Sequence, residues 1–532
     1  MQQPFRTLYA PDELRRLPGA GHRINCNSST FHCPARCPGA QRRWIPSLRA
    51  TGHGKRDLCA CFYDSEAGRL SCYKKSEKIK RKTDEKVFFV SLGCDKNLVD
   101  SEEMLGALVE SGWEITDDES QADGIVINTC CFIHDAKEES VNTILEMARY
   151  RQEGSCRALL VTGCLAQRYR QEITERFPRW MPHWGRAASD RLCRRWTRRW
   201  QGRRCWIFAP LEGIPTLPGK RVVTTGGHYE YLKIAEGCEK NCTYCIIPKI
   251  RGTYRSVPME RLLAQAEELA AQGVRELILV AQETTLYGKD LYGEKSLHIL
   301  LEKLCRIPGI RWIRLLYCYP EEIYPEMIET MRREKKICHY LDLPIQHASD
   351  RILRRMGRRT TRKDLEDIIE QLRTAIPDIT LRTTLITGFP GETEEDFQEL
   401  MDFVDAMEFE RLGVFTYSAE EDTAAAIMKD QVPEEIKEER RDRIMELQQE
   451  ISMEHGEACV GKVLLAMVEG QVSGESAYVG RTCMDAPGVD GYIFINTGEL
   501  LMSGDFVKVK VTGALEYDLI GEIADETDEY TQ

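Results

Sequence analysis

The sequence predicts an α/β fold in three parts: an N-terminal α/β parallel-sheet domain, a central partial β/α barrel and a small C-terminal β-barrel. Three observations carry this reading. Apolar strand-like runs alternate with helical runs from Glu85 onward. The alternation resumes at Tyr229 and continues for roughly 200 residues, as in a full or partial barrel. Five short strands separated by glycine turns then follow Val460. The 532 residues are 42% hydrophobic and 30% charged, an ordinary globular composition rather than a disordered or fibrous one. No apolar run approaches the ~20 residues that span a bilayer. The N-terminal MQQPFRTLYAPDELRRLP lacks the apolar core of a secretory signal, so a cytoplasmic protein without a membrane partner is expected.

In chain order, residues 1–84 come first and do not resemble the rest. They carry 17 Lys+Arg against 7 Asp+Glu and six cysteines (Cys26, Cys33, Cys37, Cys59, Cys61, Cys72), without sustained periodicity. The cysteine spacings match no ordinary zinc pattern. This segment is expected to be a disordered or non-native extension. The first domain follows over 85–215. KVFFVSLGC, GIVINTC and RALLVTGC read as buried strands, with helices at Leu98–Gly112 and His134–Tyr150. Within it, Pro178–Trp206 holds nine arginines, one acid and five tryptophans (Trp180, Trp184, Trp196, Trp200, Trp206). It has no amphipathic face and contradicts the surrounding pattern, as a shifted reading frame does. The alternative is an arm that binds single-stranded nucleic acid by phosphate pairing and stacking.

The central domain is expected over 224–452, the terminal barrel over 453–524 and an acidic tail over 525–532. The central run is YEYLKIAEGC, a helix over Pro258–Gln272, ELILVAQ, a helix over Leu297–Cys305, WIRLLYCYP, YLDLP and TLRTTLITGFPGE. A charged helix over 433–454 precedes KVLLAMVEG, YVGR, GYIFIN, FVKVKVTG and DLIGEI.

Cysteine is the compositional outlier, at 21 residues, and disulfides are disfavoured in a reducing compartment. The predicted strands of the first domain each end in a cysteine: Cys94, Cys130 and Cys164. Parallel sheets bind ligands at the carboxyl ends of their strands, so the three converge despite their separation in sequence. The strongest motif is EGCEKNCTYCIIPKIRGTYRS, in which Cys238, Cys242 and Cys245 form C-x3-C-x2-C at the start of the barrel. Such thiolates wrap one face of a cubane cluster, binding three irons and leaving the fourth open. Zinc would need a fourth ligand, and none stands nearby at a suggestive spacing.

With Tyr244 before its third cysteine, this motif resembles the radical S-adenosylmethionine superfamily. There the open iron binds S-adenosylmethionine and cleaves it to a 5′-deoxyadenosyl radical. SLGCDKNLVDSE, INTCCFI and TGCLAQRY resemble the methylthiotransferase family, and the terminal barrel is similar to its TRAM domain. The resemblance spans Lys86 to about Glu522, except for 178–206. It implies two 4Fe-4S clusters, on Cys94, Cys130 and Cys164 and on Cys238, Cys242 and Cys245, together with S-adenosyl-L-methionine. It also implies an electron donor such as flavodoxin or ferredoxin. By the logic of that family, one S-adenosylmethionine would methylate sulfur held at the first cluster, and a second, cleaved at the other, would supply the radical that takes a hydrogen from the substrate.

Two substrate branches compete. WIRLLYCYP, YLDLPIQHAS, YGKDLYG and GRTCMDAPGVDG look like the RimO-type branch, which modifies the β-carbon of an aspartate in small-subunit ribosomal protein S-twelve. The other modifies a tRNA adenosine. Residues 456–532 carry 4 Lys+Arg against 14 Asp+Glu, a charge that repels RNA and suits a basic protein. Outside the branches stands a non-enzymatic iron–sulfur redox protein. For S-adenosylmethionine, contacts are expected from Tyr244 beside the adenine and from Gln282, Gln346, Arg382 and Gly388 at strand ends. His347 is expected to be structural. Eight cysteines lie in the two anomalous stretches, and the other seven outside the two trios, Cys131 included, read as core thiols.

Overall fold

The computed structural model describes residues 59–64, 69–74, 85–176, 183–184, 206–207, 211–214 and 220–525. The chain forms two units, 1–79 and 80–532. In the first, β1 (Cys59–Asp64) and β2 (Arg69–Lys74) pair antiparallel as a hairpin. Two six-residue strands are too short to announce themselves by periodicity. Disorder and a non-native origin, expected for 1–84, otherwise concern residues outside the described ones.

The second unit opens with a parallel sheet. Its strands are β3 (Lys86–Ser91), β4 (Glu114–Ile115), β5 (Gly124–Thr129), β6 (Ala158–Gly163), β7 (His183–Trp184) and β8 (Trp206–Ile207), in the order β4-β3-β5-β6-β7-β8. Every residue of β5 is buried, as befits a parallel strand covered on both faces. Helices Asp95–Glu110 and His134–Glu153 make the crossovers. The first starts earlier than its apolar pattern, because the Cys94 carbonyl already accepts the N–H groups of Asn97 (2.8 Å) and Leu98 (3.0 Å). β7 and β8 extend the sheet within and at the end of the Arg/Trp-rich stretch. The rest of that stretch, and with it both readings of it, lies outside the described residues.

Next come β9 (Tyr229–Lys233), the antiparallel pair β10 (Ala235–Glu236) and β11 (Arg255–Ser256), β12 (Glu276–Val280), β13 (Trp312–Leu315), β14 (Ile337–Gln346), β15 (Thr380–Thr387) and β16 (Arg411–Thr416). Six of them form an open parallel sheet in the order β16-β15-β14-β13-β12-β9, a partial barrel as expected. One face carries Leu277, Leu279, Leu315, Leu341, Leu381 and Leu385 into a single apolar core with the crossover helices. Helices Arg362–Ala375 and Glu394–Met407 both begin with capping boxes, Thr361 with Asp364 and Thr393 with Asp396. These fix the helix starts just after the loops at the carboxyl edge of the sheet.

The chain ends in β17 (Val463–Gln471), β18 (Ala477–Thr482), β19 (Ile493–Asn496), β20 (Phe506–Ala514) and β21 (Leu519–Ile523), a closed barrel in the order β17-β18-β19-β21-β20. It packs on the inner face of the open sheet. Met467 and Ala486 join Ile278, Val280, Trp312, Cys338 and Tyr340 in one apolar layer. Trp312 meets Phe506 edge-on, with centroids 4.8 Å apart. Beside this layer the fully buried Glu276 accepts from Arg314 (2.8 Å) and from Arg481 of β18 (2.7 Å). Among the described residues, no helix is long and apolar enough to cross a membrane.

Candidate active site

The first cysteine trio is built from the carboxyl ends of three adjacent strands. Cys94 precedes the first helix, Cys130 follows β5, and Cys164 begins the short helix Cys164–Arg168. Asn97 ties the turns together. Its side-chain N–H groups donate to the carbonyls of Leu92 (2.7 Å) and Thr129 (3.1 Å), and its own carbonyl accepts from Asn128 (2.9 Å). The Thr129 hydroxyl carries the chain on to the Thr162 carbonyl at 2.5 Å. Burial and then the neighbouring Cys164 push the Cys130 thiol up to about 12, with Cys94 adding to the effect. The three thiols are therefore electrostatic neighbours. Cys131 is also buried and pushed up, but its backbone carbonyl faces Arg168 at 3.3 Å.

Two glycines make this convergence sterically possible. Gly93 has φ +89°, and a Cβ there would stand 2.6 Å from Cβ of Cys130. Gly163, with φ +92°, would overlap Asn128 and the Thr129 backbone. Gly163→Ala combines backbone strain with a clash and is expected to cost about 1–3 kcal/mol. A lowered thermal midpoint would check this; an unchanged one would refute it.

The second trio lies at the carboxyl end of the open sheet. Gly237, with φ +84°, starts the loop and donates its N–H to Oε1 of Gln282 at 2.7 Å. Cys238 N–H donates to the Gly252 carbonyl at 3.1 Å, Thr243 N–H to Met356 at 2.8 Å, and Cys245 N–H to Cys242 at 3.0 Å. Asn241 sits in the left-handed region (φ 56°), which bends the loop between the first two cysteines. Burial and then Cys242 are the main forces that push the Cys238 thiol up to about 11. Burial, Cys242 and Cys238 push Cys245 up to about 12. Among the described residues no three His, Cys, Asp or Glu side chains close on a point that a single ion would fill. Thiols that each take a different iron of a cubane need no such common point. Two all-sulfur donor sets of three suit that group.

Of the other predicted residues, Tyr244 belongs to this loop and Gln282 holds its first residue, Gln346 and Gly388 stand at the carboxyl ends of β14 and β15, and Arg382, third in β15, is not at the strand end expected for it. Tyr244 packs against Ile352, Met356, Phe389 and Tyr417. Gln346 ends β14 with φ 73°. Gly388, with φ +68°, lies against Lys437, whose stem a Cβ would overlap. Arg382 is drawn into ion pairs with Asp342 (2.9 Å) and with Asp490 of the terminal barrel (3.3 Å). His347 accepts the N–H groups of Ala348 (3.0 Å) and Ser349 (2.9 Å) on Nδ1.

Several residues escaped the sequence reading. Glu283, just past β12, is fully buried. One of its oxygens accepts from Thr285 N–H at 2.9 Å and the other has no hydrogen-bond partner. Burial pushes its carboxyl up to about 7, against the pull of Thr285 and Lys240. Its position one residue past Gln282 was the available signal, since acids at strand ends face the site. Arg358, near Tyr244, stacks its guanidinium 4.5 Å from the Tyr319 ring centroid.

Three contacts lock the two trios to one another. Arg251 passes from the second loop into the first. Tyr317, with φ 61°, hydrogen-bonds Asp95 at 3.2 Å, and the Lys96 ammonium lies 3.0 Å from its ring centroid. A loop after β16 bridges the other side: Glu420 accepts from Lys137 (2.9 Å) and Arg168 (3.1 Å), while Ala425 N–H donates to the Thr243 carbonyl at 2.9 Å.

The Radical SAM superfamily profile matches residues 232–404, the Uncharacterized protein family UPF0004 profile 86–182 and the TRAM domain profile 460–524. This site and fold therefore define a radical S-adenosylmethionine protein with an added N-terminal domain. "Ribosomal protein uS12 methylthiotransferase RimO" of Lachnoclostridium phytofermentans is 59% identical over 436 residues, 82% of this chain and 99% of the relative. The protein of that name from Pelotomaculum thermopropionicum is 50% identical over 438 residues, again 82% and 99%. That from Acetivibrio thermocellus is 48% identical over 449 residues, 83% and 99%. The chain belongs to the RimO family of radical SAM methylthiotransferases.

Proposed function

We propose that this enzyme attaches a methylthio group to the β-carbon of an aspartate in ribosomal protein uS12, as the names of its relatives suggest. The observation that carries the reading is the meeting of two cysteine trios, each on strand carboxyl ends, through shared side chains. Cys238, Cys242 and Cys245 would hold one 4Fe-4S cluster, and Cys94, Cys130 and Cys164 the other. When bound, these groups supply reductive cleavage of S-adenosylmethionine and a seat for the sulfur to be transferred; a C–H bond of this kind lies beyond side-chain acids and bases.

The chain's own work is positional. Gln282 shapes the loop ahead of Cys238 by holding Gly237 N–H. Tyr244 and its apolar neighbours suit an adenine, and Gln346 and Gly388 stand at the carboxyl ends of their strands, whereas Arg382 is held by Asp342 and Asp490. The partners that follow are basic uS12, drawn by the acidic terminal barrel, and a small electron donor such as flavodoxin or ferredoxin. A ribosomal substrate places the work in the cytoplasm.

Reconstituted enzyme, incubated anaerobically with S-adenosylmethionine and reductant, is expected to add the methylthio group to uS12 and not to tRNA. Mass spectrometry of both substrates decides. Modification of tRNA with uS12 unchanged would overturn the reading in favour of the tRNA branch. Absence of any 5′-deoxyadenosine would favour an iron–sulfur redox protein.

A further inference from the structure

Arg251 is the last residue of the short helix Ile247–Arg251, six positions after Cys245, and is 2% exposed. Its guanidinium reaches from the central domain into the N-terminal one. Nη1 donates to Asp100 (3.1 Å) and Glu236 (3.2 Å), and Nη2 donates to Oδ1 of Asn97 (2.9 Å). The short helix that carries it packs against the helix that Cys164 begins, and the guanidinium lies within electrostatic reach of Cys164 and Cys94. Lys233, which pairs with both Asp100 and Glu236, balances those two acids. Asn97 is the residue whose amide holds the turns at Cys94 and Cys130. One side chain thus reaches, by its charge or through Asn97, the loops of all three N-terminal cysteines. The next residue serves the other trio, because the Gly252 carbonyl accepts Cys238 N–H at 3.1 Å.

We propose that Arg251 is the positioning residue that registers the two cysteine trios against each other and sets a fixed positive charge beside the sulfurs of the N-terminal one. This rests on the reading that Cys94, Cys130 and Cys164 hold the second cluster. Two physical consequences follow. A fixed positive charge beside ligand sulfurs stabilises the more negative, reduced state and raises the potential of the group it faces. A rigid fork between the trios keeps the sulfur to be transferred within reach of the substrate, so its loss separates S-adenosylmethionine cleavage from product formation.

The test uses the anaerobically reconstituted full chain. In a Cys238→Ala, Cys242→Ala, Cys245→Ala background, only the N-terminal cluster should give an electron paramagnetic resonance signal. There Arg251→Met is expected to shift the midpoint potential in the negative direction, with Arg251→Lys in between. In the otherwise intact enzyme, Arg251→Met should lower the methylthio product formed per 5′-deoxyadenosine by about 10–100-fold, the range for loss of an outer-shell partner. Merely structural glue would lower both products together and leave the potential alone. An unchanged midpoint with an unchanged ratio overturns the inference. Should Arg251→Met fail to accumulate as folded protein, Arg251→Lys decides by the same two readings. If the background protein binds no cluster at all, the two-cluster reading falls first and takes this inference with it.

Discussion

The Cys238→Ala, Cys242→Ala, Cys245→Ala variant is expected to release 5′-deoxyadenosine at a rate reduced by more than about 100-fold, the upper range for loss of a mere outer-shell partner. The Cys94→Ala, Cys130→Ala, Cys164→Ala variant, by contrast, keeps that release and loses methylthio transfer. The expected asymmetry comes from the placement of the trios. The first set belongs to a loop built wholly from the open sheet and its neighbours: Gln282, Gly252 and Met356 hold its backbone. The second set belongs to the N-terminal sheet, with its own hydrogen-bond chain through Asn97 and Thr129. Each loop therefore survives removal of the other's thiols. Chromatography of the nucleoside products beside mass spectrometry of uS12 checks both halves. Loss of 5′-deoxyadenosine in both variants would show that the two halves do not act separately.

Glu276→Ala unfolds or loosens the terminal barrel, at a cost of about 3–5 kcal/mol. Glu276 has no exposed surface and is the common acceptor of Arg314 and Arg481, both fully buried. Removing it leaves the buried Arg314 without a carboxylate and Arg481 with Glu469 alone (2.6 Å), and uncompensated buried charge is among the most costly single changes. The pH dependence has a definite sign. Burial alone would raise this carboxyl, but Arg481 and Arg314 outweigh it and hold the group below its ordinary range. Its contribution is therefore fully present above the unfolded carboxylate value and is lost as pH falls through the lower folded value. Denaturant unfolding at neutral and acid pH should find the native protein losing more stability on acidification than Glu276→Gln does. Equal losses would refute the assignment.

The layered architecture was legible because its signals are local and repeated. KVFFVSLGC, GIVINTC and ELILVAQ are unbroken apolar runs of the kind that only doubly covered parallel strands need. The cysteine trios were legible for the same reason, since each thiol stands at a strand end that the pattern had already located. What stayed hidden depends on contacts between distant segments. Nothing near Arg251 signals that its side chain would reach Asn97, 154 positions earlier. Nothing in TLRTTLITGFPGE signals that Arg382 would pair with Asp490 of the terminal barrel. Glu283 shares a strand end with Gln282, but its complete burial and its unpartnered oxygen depend on tertiary packing that local sequence does not show. The hairpin of β1 and β2 is not legible because six residues are too few to separate a strand from noise.

The seating of the terminal barrel against β12, β13 and β14 has a consequence for where chemistry can sit. The open sheet is a cup whose floor is stoppered by Met467, Ala486 and the Glu276 charge layer. With that face covered, the strand carboxyl ends are the rim left to carry chemistry, and both cysteine loops stand at such ends.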